Sequence, residues 1–350
     1  LPGGCSFTEL RGYIEAKGID GATCDAVREG GNKATAGVDA AKRGKAYERA
    51  IVDGLGFDPR TGQPPVAEAG PEKRAPEPLV IATGVAGATS FAVDEAFAYW
   101  TSAQGLVAKV RNVGGTAETI AQAVAPSDLV VAADFLYWRA QGPDGSGVLW
   151  VDRKRGEYEP QTIAVGTSKV GAAHCMQGEC AFVDTVDGAI SAVVQDGTAP
   201  RKLTGPQQPA AHEVRITDSE VFWAVPGTPA AIASAPLAGG ASRLLAGNEA
   251  QPHHLRVDES HVYWIADGGL RRVPRAGGDV ETVVARPIVG FALDGARAVI
   301  SDGAGTIAAV AATGGEPQML ATGQAGASWV GVDGAAIYWT TADAIVRLPK

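Results

Sequence analysis

The chain has 350 residues and a formal charge of −9, with 45% hydrophobic and only 20% charged residues. This acidity argues against an ordinary nucleic-acid-binding surface, whose phosphate contacts need a basic patch; the Lys/Arg-richest stretches, Lys42-Arg43-Gly44-Lys45 and Arg153-Lys154-Arg155, sit among acids and read as solvated faces. No run of about 18 apolar residues is present, so no segment reads as a transmembrane helix.

The N-terminal segment, 1–57, predicts a small helical arm. SFTELRGYIEAKG gives a short helix capped by Ser6, with Glu9 completing a capping box and Gly18 ending it. ATCDAVREGG adds a helical turn or two. DAAKRGKAYERAIVDGLG gives a third helix starting from Asp39. Its Tyr47, Ile51, Val52 and Leu55 fall on one face, an apolar stripe too small to build a core alone. The stripe must pack on the rest of the chain or on another molecule. Self-association into a homo-oligomer or polymer is the expectation, with a folded-back arm and a foreign partner as rivals. Residues 58–77 carry five prolines and no periodicity, which predicts an extended linker.

From Pro78 onward one phrase recurs seven times. It ends at Trp100, Trp138, Val183, Trp223, Trp264, Ile300 and Trp339, in steps of 38, 45, 40, 41, 36 and 39 residues. Such a period is that of a four-stranded propeller blade. Each unit reads as an alternating strand, a tight turn, an aromatic strand, a Val-rich strand ending in paired glycines such as Gly277-Gly278, and a short fourth strand. The last unit stops at Lys350 with three strands. PLVIATG at 78–84 matches PQMLATG at 317–323, so residues 78–84 are expected to close the last blade. The fold class is therefore all-β, a seven-bladed propeller over 78–350 with a helical N-terminal arm. The repeated Tyr-Trp pair is expected to fill the wedge between neighbouring blades. Smaller Val183 and Ile300 predict a different filling in the third and sixth.

Four cysteines form two local pairs, Cys5 with Cys24 and Cys175 with Cys180. Local pairing of an even set predicts disulfides and an oxidising compartment, secreted, cell-surface or periplasmic. Free thiols are the alternative. Zinc is a weaker one, since there is no CxxC and no His at finger spacing. The first residue, Leu1, fits a mature chain whose signal segment is gone; trimmed numbering fits as well.

The units resemble the YWTD repeat and the related NHL-type repeats of secreted propellers. They are similar to AVD…VYWT…V.RVP..GG arrays in predicted secreted proteins of myxobacteria and relatives. The resemblance covers about 78–350 and implies the fold. It does not carry receptor function, because the final Asp of YWTD is replaced in Tyr99-Trp100-Thr101-Ser102 and Tyr338-Trp339-Thr340-Thr341.

No nucleophile elbow, phosphate loop or HExxH zinc motif is present. Asp144, Asp184, Asp187 and Asp302 lack EF-hand spacing and read as turn formers. Propeller hydrolases of the gluconolactonase and paraoxonase type hold a cation through inner-strand Asp, Glu and Asn. Here the inner strands read as Val, Ala, Ile and Leu with Arg215 and Arg256, so no metal and no cofactor is expected. The candidate ligand site is a set of histidines just before or on the first strands of blades three to five: His174, His212, His253 and His254. Glu213, Asn248, Glu249 and the two arginines are expected nearby. The functional expectation is a non-enzymatic secreted propeller, a structural or interaction module that self-assembles through its arm into an extracellular filament or sheet. The alternative is a small-ligand or metal-binding propeller, even a hydrolase, using the histidine-lined channel mouth.

Overall fold

The computed structural model describes residues 76–350, apart from 155–158, 164, 167, 197 and 208. The helical arm, the stripe Tyr47, Ile51, Val52 and Leu55, the linker before residue 76 and the pair Cys5–Cys24 all lie outside the described residues.

The described chain forms seven four-stranded antiparallel sheets, six of them meanders in chain order. Their inner strands are Ala88–Val93, Val124–Ala132, Val170–Met176, Glu213–Ile216, His253–Val257, Gly290–Asp294 and Val330–Val332. Each inner strand touches the next around a ring, and the seventh returns to the first. The exception to chain order is the last sheet, whose outer strand is Leu79–Thr83. Leu79 stands opposite Arg347 and Thr83 opposite Ala344, so the first strand completes the blade that the last residues begin. Closure by strand pairing leaves no blade short of its outer strand.

Alternation along each aromatic strand divides its side chains between the two neighbouring blades. Trp100 packs on the last blade, among Ile81, Tyr338 and Ile345. Tyr99 faces the other way, towards Leu136 and Trp138 of blade two. Five such tryptophans are almost completely buried. The wedge between neighbouring blades is thus filled once per repeat.

The phrase also fixes its turn. Asp94, Asp258 and Asp333 each accept two backbone N–H bonds from the turn that follows, at 2.7–2.9 Å. The other carboxylate oxygen takes the hydroxyl of Tyr99, Tyr263 or Tyr338, five residues on. One acid therefore caps the hairpin and satisfies the buried phenol. Asp144, Asp184, Asp187 and Asp302 also accept N–H bonds from their own turns.

Blade three needs a correction. Phe182, not Val183, faces the preceding blade, packed with Cys175 and Cys180. Val183 points to blade four. Because the side-chain period is two, a displacement of one residue exchanges faces. The two cysteines stand opposite each other on adjacent strands and form a disulfide with Cα atoms 4.0 Å apart.

Candidate functional site

The inner strands of all seven blades line one central cavity of about 650 Å³. The structure brings all six sequence-predicted residues to it: His174, His212, Arg215, His253, His254 and Arg256. Glu213 also lines it. Glu249 instead binds the Trp264 indole and Arg271, away from the cavity lining, and Asn248 is not part of the lining.

Strand register places the key residues at one level. Arg215 stands opposite Phe222, Arg256 opposite Tyr263 and His174 opposite Ala181. These are equivalent positions on three consecutive blades, each one residue before the strand's tryptophan-site residue. Glu213 ties the level together. Its Oε1 accepts Arg215 Nη2 at 2.8 Å and the backbone N–H of Leu255, in the next blade, at 2.8 Å. Arg215 also donates to Val214 O.

Arg256 is different. Its hydrogen bond among the described residues is Nη1 to Leu255 O, 2.9 Å, and no carboxylate there pairs with it. Most of its guanidinium donors therefore remain for something else. Burial, then Arg215, lowers its pKa to about 10, against a smaller opposing effect of Glu213. The histidines feel the same positive field. Burial first, then Arg256, His253 and Arg215, depress His254 to about 3. Burial, Arg215 and Arg256 hold His174 well below the ordinary imidazole range. Both rings are neutral at pH 7. His174 Nδ1 faces the Ile216 N–H at 3.4 Å, which puts its proton on Nε2. His254 Nδ1 is buried and has no hydrogen-bond partner. His212 and His253 are tied to the backbone oxygens of Pro252 and Gln251.

Two side chains are aimed by irregular backbone. The inner strands of blades two and five each lose register near the cavity mouth, at 127–130 and 253–256. Within those bulges Asp128 has φ 51° and His254 φ 55°. Non-glycine residues in the left-handed region are uncommon, and bulges re-aim side chains. Asp128 corrects the expectation that inner strands lack acids, as does Glu213. Asp128 is already compensated by Arg139 at 2.8 Å. Trp329, which sequence reasoning missed, lies 5.0 Å from His254, ring to ring. Among the described residues no three His, Cys, Asp or Glu side chains converge to hold a metal ion. Of the lining charges, Glu213 is paired with Arg215 and Asp128 with Arg139, which leaves Arg256 as the charge without a carboxylate partner among the described residues.

No protein-family model matches the chain, and no curated protein sequence matches it. Solved structures do. Virginiamycin B lyase from Staphylococcus aureus is 12% identical with a TM-score of 0.59, covering 78% of this chain and 98% of that one. The WD40 propeller domain of Doa1 is 13% identical with a TM-score of 0.60, covering 79% and 97%. YCF48, solved bound to D1 peptide, is 12% identical with a TM-score of 0.56, covering 78% and 96%. These likenesses show the propeller fold alone. They include a lyase and a peptide-bound protein, so the function has to be argued from the site.

Proposed function

We propose that this chain is a non-catalytic binding propeller whose central channel receives an anionic group at Arg256, Arg215 and His254. The carrying observation is Arg256, a half-buried guanidinium lining the channel without an ion pair among the described residues. A partly desolvated charge that no carboxylate pairs is costly, and a ligand anion would supply the missing partner. A planar fork of donors suits a carboxylate or phosphate. The cavity volume lies within the range of small-molecule sites. The disulfide supports an extracellular or periplasmic location. Self-association through the arm remains an expectation from Tyr47, Ile51, Val52 and Leu55.

Titration calorimetry with sulfate on the full chain and on Arg256→Gln tests the proposal. Saturable binding that weakens at least tenfold in the variant is expected, the loss of about 1.4 kcal/mol or more that a charge-assisted hydrogen bond supplies. Equal binding by the two proteins rules the site out.

A further inference from the structure

We infer that the anion taken in this channel is amphipathic: a carboxylate held by Arg215 and Arg256, carrying an apolar body that lies on the opposite wall. The inference rests on the anion reading above and adds the chemistry of the rest of the ligand.

The wall is strongly divided at the level of the arginines. Blades three, four and five contribute His174, Arg215 and Arg256. At the same register, Ala92 stands opposite Tyr99, Val130 opposite Tyr137, Ala292 opposite Val299 and Gly331 opposite Tyr338. All four line the cavity. In a closed ring of seven sheets, blade one lies across from the junction of blades four and five. Ala92 therefore faces the arginine pair across the channel. One step further along the inner strands the lining is again apolar on that side, with Val93, Val131, Leu293 and Val332. Four consecutive blades thus offer no side-chain donor or acceptor at either level.

Blades one and two also bring Thr89, Ser90, Ser127 and Asp128 to the cavity, but earlier on their inner strands; at the two levels facing the arginines a bare inorganic anion would leave the opposite wall to water with few side-chain partners. Such water is poorly held, and displacing it by apolar groups gains affinity. Trp329, on blade seven beside His254, adds an aromatic surface to the apolar side. A ligand with a polar tail would instead bury unsatisfied groups against this wall.

The test is a chain-length series of straight alkanoates, acetate to octanoate, titrated into the full chain by calorimetry, with sulfate as competitor and octanol as the uncharged control. Affinity is expected to rise about fourfold per methylene from butyrate upward, the equivalent of about 0.8 kcal/mol per buried CH₂. Sulfate should displace octanoate, and octanol should bind far more weakly. Ala92→Asn should flatten the slope; an unchanged slope overturns the placement of the tail on that wall. An affinity independent of chain length, with sulfate still binding, overturns the amphipathic ligand and leaves the anion site standing. If octanol binds as well as octanoate and sulfate does not compete, the anion site itself falls.

Discussion

Replacing Arg256 by methionine should make the empty propeller more stable while removing its ligand site. Burial and Arg215, against a smaller effect of Glu213, lower the guanidinium from its ordinary value to about 10. At about 1.4 kcal/mol per pH unit, this places about 3 kcal/mol against the charged form in the folded chain. Methionine keeps an apolar stem of similar length in the wall. It loses the hydrogen bond to Leu255 O, worth about 1 kcal/mol net. The balance is a gain of about 2 kcal/mol, which for a domain of this size raises Tm by about 5 °C. The assay is paired thermal and urea unfolding at pH 7 in a buffer free of sulfate and carboxylate. Saturating ligand should reverse the order, because only the wild type gains from binding; about 2.7 kcal/mol is expected at a hundredfold excess over Kd. A variant less stable than the wild type by 1 kcal/mol or more would refute the reasoning, since Arg256 would then have a partner in the empty fold.

Three other outcomes are expected. His254 is held neutral in the folded chain down to about 3 by burial, Arg256, His253 and Arg215, whereas in the unfolded chain it titrates near 6.5. The stability it contributes is present above pH 6.5 and lost as pH falls, about 2 kcal/mol by pH 5; His254→Asn should flatten the urea-unfolding profile between pH 7 and 5. Asparagine tolerates the positive φ at this position. Glu249 is buried between the Trp264 indole and Arg271; Glu249→Ala should cost about 3 kcal/mol by urea unfolding, and a cost below 1 kcal/mol would show the pair to be solvated. Sedimentation of the full chain against one beginning at Pro78 checks the arm: a larger species only with the full chain supports self-association, and two monomers end it.

The period, the Tyr-Trp pair and the paired glycines made the blade legible, because a turn and an interblade wedge each demand particular side chains. Blade three has neither Trp nor Tyr at the wedge, so nothing in its sequence fixed which of Phe182 and Val183 faces blade two. The histidines and arginines were legible as a cluster, since equivalent positions of consecutive blades must meet at the channel. Asp128 was not, because a bulge inserts a residue without altering hydropathy, and alternation then assigns the wrong face. Trp329 escaped for a related reason: it directly precedes the short inner strand Val330–Val332, and its indole finds an acceptor in blade one, at Ala88 O.

The most direct measurement is the anomalous scattering map of a crystal soaked in selenate. The anion site predicts a selenium peak in the central channel, within hydrogen-bond reach of the Arg256 guanidinium, about 2.7–3.2 Å from selenate oxygen to nitrogen, and absent from Arg256→Met crystals. A channel without selenium in the wild type, or a peak unchanged by the substitution, would contradict it.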